Sequence, residues 1–206
     1  IAFLRNMSKL SGVLFLMTKS MNTKKLITMA MFIAISIVLV ALIHFPIFPA
    51  VSFLEYDPAD ISILIGTFAF GPLAGCILTI VTSIIQGITV SAASGLYGII
   101  MHIISTCTLV LVAGNVKKLR PGTGWTVVSL VIGCLAMAAV MGVANLIITP
   151  LFMGAPVEAV KALLFPAIIP FNLVKAGVNS AVAFAIYKPL SHALNKMSAN
   201  AQPIKA

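Results

Sequence analysis

Few side chains in this sequence can do chemistry, and most of those cluster. Asn172, Lys175 and Asn179 fall within the run Pro170-Phe-Asn-Leu-Val-Lys-Ala-Gly-Val-Asn179, at spacing i, i+3, i+7. On a helix they project from one side, within about 60° of each other. A lysine at mid-bilayer costs ~2.5–3.5 kcal/mol on insertion scales, so it must face a bundle interior or a wet cavity. Asn145 lies in the preceding apolar segment, about a turn and a half from its end. Two readings fit. Lys175 snorkels outward while the asparagines bridge helices. Alternatively, Asn145, Asn172 and Lys175 line a pocket for a polar-rimmed small molecule. The amides then supply paired donors and acceptors, and the ammonium supplies a cationic donor.

The acids form the second group. Glu55, Asp57 and Asp60 crowd the segment 46–60, PIFPAVSFLEYDPAD, and Glu158 is distant. Over a pocket mouth, Phe53, Leu54 and Tyr56 would cover or stack on an aromatic ligand, and Asp57 would accept hydroxyl or amide hydrogens. Both aspartates also suit the first turn of a helix. Asp57 divides evenly between the two roles, while Asp60 reads as a cap. Four acids are too few for two-metal phosphotransfer, and His44, His102 and His192 lack an HExxH context. Cys76, Cys107 and Cys134 match neither a zinc site nor a disulfide framework and read as small buried hydrophobes. No GxxxxGK[ST] loop occurs, so the chain is not expected to hydrolyse ATP. Gln86, Ser91, Ser94, Tyr97 and His102 are secondary candidates for lining a cavity, with His102 reading as a core histidine.

The elements that position these groups follow from composition. Of 206 residues, 61% are hydrophobic and only 8% charged, and mean hydropathy is +1.16. A soluble domain carries roughly 25% charged residues. This excludes a soluble domain, a disordered chain and a nucleic-acid binder. The net charge of +9 reports 13 basic residues against 4 acidic ones, the pattern of basic loops on the cytoplasmic side of a membrane. The fold class is an all-α integral membrane protein with six transmembrane helices in one bundle. Spans are expected near 26–44, 60–70, 72–90, 95–113, 125–149 and 167–190. The apolar stretch 61–90 would make ~45 Å of helix, too long for one span, and Gly71-Pro72 divides it. Six spans place Lys24, Lys25, Lys117, Lys118, Arg120 and Lys188 on one side with both termini, taken as cytoplasmic. Residues 1–22 are set apart as a basic lead-in that need not be native, 23–195 form the membrane domain, and 196–206 form a cytoplasmic tail. Ala30 and Ala34, four apart, and Gly71 and Gly75, likewise, permit close helix approach, inside the bundle or toward a partner.

The run LEYDPADISILIGTFAFGPLAG (54–75), the Ala30-xxx-Ala34 pair and Asn172-Leu-Val-Lys175 after Ile-Pro-Phe resemble the S components of energy-coupling factor (ECF) vitamin transporters. Within that family the NxxK pair and Asn145 are most similar to the riboflavin-specific members. The resemblance covers about 22–195. It implies a prokaryotic plasma-membrane subunit that captures riboflavin from outside, as transported substrate and not as cofactor. Asn145, Asn172 and Lys175 would hydrogen-bond the flavin's polar edge, and loop 46–60 would close over it. Ala30 and Ala34 would dock a transmembrane coupling subunit (T component) that works with two cytoplasmic ATPases. The subunit would topple in the lipid to release its cargo. Alternatives are an S component for another vitamin or a flavin nucleotide, a stand-alone ion-coupled carrier, a membrane enzyme or a structural packing protein.

Overall fold

A computed structural model describes residues 23–200, apart from 49, 50, 52 and 121, with side chains placed as far as residue 189. The expected lead-in over 1–22 lies outside the described residues, as do 201–206. Within them the α-helices are α1 Thr23–Leu42, α2 Ala59–Phe70, α3 Pro72–Ile88, α4 Gly95–Leu119, α5 Thr123–Met153, α6 Val157–Leu163 and α7 Ile169–Asn200. A short antiparallel pair, β1 (Phe45–Pro46) and β2 (Glu55–Tyr56), ties the loop after α1, with Phe45 opposite Tyr56 and Pro46 opposite Glu55. The stretches Thr23–Leu42, Ala92–Leu119, Thr123–Met153 and Val157–Pro189 are long and apolar enough to cross a membrane. The helices α2 and α3 are shorter apolar helices.

The centre of the bundle is α2, which packs on α1, α3, α4 and α7. Its first nine residues are all buried, and the polar ones among them, Asp60, Ser62 and Thr67, are each hydrogen-bonded. At 12 residues it is about 18 Å long, short of the ~30 Å hydrocarbon layer. Two hydroxyls fasten it to α1: Ser62 Oγ donates to Phe32 O at 2.7 Å and Ser36 Oγ to Ala59 O at 3.2 Å. Gly71 alone joins α2 to α3, at φ +95°, a conformation open to glycine, and Pro72 opens α3, where its missing N–H costs nothing. The apolar core runs through Ile63, Leu64, Leu78, Leu109, Val110 and Met137, all fully buried.

Three expected boundaries move. The fourth helix runs to Leu119, past 113, because one side of its last turns is packed against the bundle and α5. Lys117 Nζ lies 3.9 Å from the centroids of both the Phe68 and Tyr187 rings, and Trp125 Nε1 donates to Val116 O at 2.7 Å. The fifth helix does not stop before Pro150 but continues to Met153. Pro150 gives up one backbone donor near a helix end, and the end itself is well satisfied. Gly154 turns left-handed at φ +61°, and the N–H groups of Gly154 and Ala155 both reach Pro150 O. The helix α7 extends through 196–200, the start of the expected tail.

Candidate ligand-binding site

One end of the bundle gathers the carboxyl ends of α1, α3 and α5 with the amino ends of α2, α4 and α7. Among them lies a cavity open at its mouth, with about 890 Å³ of empty space when the solvent in that mouth is counted. Asn145, Asn172, Lys175, Asp57, Phe53 and Leu54 all line it. Tyr56 is not among its lining residues. Its ring lies against Phe45, centroids 5.5 Å apart, and its hydroxyl donates to Asn179 Oδ1 at 2.8 Å.

The floor is an ionic network. Lys175 Nζ donates to Asp57 Oδ2 at 2.7 Å, and the two residues are 6% and 4% exposed. Lys175 is therefore buried inside the bundle and does not snorkel. Two buried charges are tolerated when they pair and their remaining hydrogen-bonding groups are satisfied. Asn179 Nδ2 donates to Asp57 O at 3.0 Å and to Asp60 Oδ2 at 3.2 Å. Thr106 Oγ1 donates to Asp60 Oδ1 at 2.6 Å. His102 Nε2 faces both carboxylates, 3.6 Å from Asp60 Oδ1 and 3.8 Å from Asp57 Oδ1. Ser83 Oγ lies 2.7 Å from Thr79 O and 2.6 Å from His102 Nδ1, holding the ring from its other side. Burial alone would raise the Asp57 carboxyl, but the Lys175 ammonium outweighs it and holds the group below the usual carboxylate range. Burial, and then the Asp57 and Asp60 charges, push the Tyr56 hydroxyl up.

The asparagines are held by their own helices. Asn145 Nδ2 donates to Met141 O and Asn172 Nδ2 to Ile168 O, both at 2.8 Å, while Thr149 Oγ1 donates to Asn145 Oδ1 at 2.8 Å. Each carboxamide keeps a second N–H for a ligand. Ile168 closes a π-helical turn, Leu164–Ile168, between α6 and α7. Pro166 and Pro170 remove donors there, and such turns recur at functional sites.

Asp60 does not cap α2, as its position suggested. It is fully buried and bonded to Thr106 and Asn179 from two other helices. The capping role falls to Asp57, whose Oδ1 accepts from Ala59 N at 3.2 Å. At the mouth, His44 Nε2 lies 3.0 Å from Glu55 Oε2 and 3.4 Å from Ser91 Oγ, and Gln86 Nε2 donates to Ser91 Oγ at 3.2 Å. Phe152 packs edge-on to Phe53 and lies near Tyr97, with centroids 6.5 and 5.8 Å away. Far from the cavity, Ala30 and Ala34 lie on the exposed face of α1, beside Ile27, Met31 and Val38. Gly75, by contrast, is buried against Thr67 and Val110, so that glycine serves packing within the bundle.

The fold and cavity have counterparts among known proteins. Residues 24–187 match the family described as "ECF transporter, substrate-specific component". The chain is 28% identical over 182 residues to the riboflavin transporter RibU of Staphylococcus aureus (strain TCH60), covering 85% of this chain and 95% of that protein. It is 31% identical over 176 residues to the riboflavin transporter FmnP of Bacillus subtilis (strain 168), covering 81% and 90%. A solved S component of a bacterial ECF transporter superposes with a TM-score of 0.73 at 29% identity, covering 83% of this chain and 97% of that one. With the family match spanning every helix from α1 into α7, the chain belongs to the substrate-specific components of ECF transporters.

Proposed function

We propose that this chain is the riboflavin-binding membrane subunit of an ECF-type importer. The observation that carries the reading is the cavity itself. Asn145, Asn172 and Lys175 converge on it from α5 and α7, beneath apolar and aromatic walls. Riboflavin is flat and uncharged, with a hydrogen-bonding pyrimidine edge, and suits such a site. Two curated relatives along nearly their whole length are riboflavin transporters. Lys175 gives one of its three donors to Asp57 and keeps two for the flavin edge. Phe53 and Leu54, ahead of α2, cover the site from the loop side.

In this reading all six helices α1–α5 and α7 cross the plasma membrane of a prokaryote, with α2 and α3 completing the layer together. Lys25, Lys117 and Lys118 then face the cytoplasm with both termini, and the cavity opens outward. The chain captures the vitamin and does not itself hydrolyse ATP. A transmembrane coupling subunit, docked on the Ala30–Ala34 face, and two cytoplasmic ATPases supply the energy. Purified protein is expected to be yellow, with a flavin absorption band, and after ligand removal to quench riboflavin fluorescence on titration. Colourless protein that leaves riboflavin fluorescence unchanged overturns the assignment. Uptake into liposomes without the ATPases would favour a stand-alone carrier instead.

A further inference from the structure

The floor of the cavity holds two buried carboxylates, Asp57 and Asp60. Among the described residues, Lys175 is the only lysine or arginine that lines the cavity, and its ammonium is bonded to Asp57 Oδ2. The donors bonded to Asp60, Thr106 Oγ1 and Asn179 Nδ2, are neutral. Two carboxylates against one ammonium leave one negative charge unbalanced inside an apolar bundle, and buried charges are seldom left so. The group placed to balance it is His102 on α4. It is 9% exposed, and its Nε2 has no hydrogen-bond partner, yet that nitrogen lies 3.6 Å from Asp60 Oδ1 and 3.8 Å from Asp57 Oδ1. A bare nitrogen there would turn its lone pair toward two groups that can only accept. A proton on Nε2 turns that repulsion into attraction. A proton on Nδ1 as well lets Ser83 accept from the ring at 2.6 Å and donate to Thr79 O at 2.7 Å. The ring with both protons is cationic, and the charges of the floor then cancel.

We infer that His102 is the second cation of the floor, an imidazolium shared by Asp57 and Asp60 that keeps Lys175 available to the ligand. It is a positioning residue and acts through Lys175. The ammonium has three donors. With His102 charged, Asp57 takes one of them and two stay turned to the cavity. With His102 neutral, one ammonium answers two carboxylates and is drawn toward Asp60, away from the ligand. The effect on binding rests on the flavin reading above; the charge of the ring does not.

Two measurements test it. The first is nitrogen NMR of the full chain, labelled in its histidine rings, in detergent at neutral pH and without flavin. In the His44→Gln/His192→Gln variant His102 is the one histidine left, so its signals are unambiguous. Two protonated ring nitrogens are expected, and one bare nitrogen overturns the inference. The second is fluorescence titration with riboflavin. His102→Gln, which keeps a neutral donor, is expected to weaken binding about tenfold. Adding Asp60→Asn removes the unbalanced carboxylate, and the pair is expected to recover to within about threefold of wild type. A loss of packing at His102 would not be repaired by Asp60→Asn, which restores charge balance and fills no space. His102→Gln with wild-type affinity, or a double variant no better than His102→Gln, overturns the inference. Wild-type protein that binds no riboflavin but carries a doubly protonated His102 overturns the flavin reading and leaves the charge assignment standing.

Discussion

Lys175 and Asp57 set the charge balance of the cavity floor, and the two asparagines set its hydrogen-bond directions. Removing Asn172 or Lys175 leaves a ligand group without its partner. Asn172→Ala or Lys175→Ala is therefore expected to weaken flavin binding by ~1–3 kcal/mol, read by fluorescence titration, and unchanged affinity in both would remove these residues from the site. The Asp57 carboxyl, held low by Lys175, binds fewer protons in the native state than in the unfolded chain. Its contribution to stability is thus complete above the unfolded value of about 3.9 and is lost as pH falls through the lowered native value. The melting temperature in detergent should be flat between neutral pH and about pH 5 and decline only in stronger acid, with Asp57→Asn removing part of that decline. The positions of Asn145, Asn172 and Lys175 were legible because a lysine and carboxamides stand out within apolar helices. The bonding of Asp60, Asn179 and Gln86 was not. A carboxylate in a first helical turn looks like a cap until a distant Thr106 and Asn179 are seen bonded to it. Helical spacing gives the face of Asn179 but not the loop it holds, and nothing in the order of residues shows that Gln86 Oε1 is left without a partner.

Among the helices, α2 is the one that others are built around, and its junction with α3 depends on small residues. A Cβ at Gly75 would overlap the Thr67 hydroxyl and meet Val110 Cβ at 3.2 Å. Both neighbours are fully or almost fully buried, so neither can move aside cheaply. Gly75→Val should cost ~1–3 kcal/mol by overpacking, seen as a lower melting temperature in detergent, whereas an unchanged melting temperature would place Gly75 outside the packed junction. The break at Gly71-Pro72 could be read in advance, because glycine and proline together change the backbone whatever surrounds them. The passage of α5 through Pro150 could not. It depends on a left-handed Gly154 four residues later and on two N–H groups converging on one carbonyl. The extension of α4 to Leu119 likewise depends on the Phe68 and Tyr187 rings that receive Lys117, which lie far away in sequence.

At the scale of the whole molecule, the cavity and the proposed docking face lie apart. The cavity is gathered at one end of the bundle, while the exposed apolar strip with Ala30 and Ala34 runs along the outside of α1. A bulky residue there meets no buried neighbour. Ala30→Trp or Ala34→Trp should leave flavin affinity within about twofold of wild type while abolishing uptake in vesicles that contain the coupling subunit and ATPases. Normal uptake in both variants would move the docking face elsewhere. The packed core beneath the floor carries a further consequence. Past Ser105 and Met141, fully buried Ile63, Leu64, Leu78, Leu109 and Met137 interdigitate between the cavity and the end where Lys117 sits. The binding chamber is a cul-de-sac. A cargo held there meets closed packing toward the Lys117 end, so onward passage requires that packing, or the orientation of the whole bundle, to change.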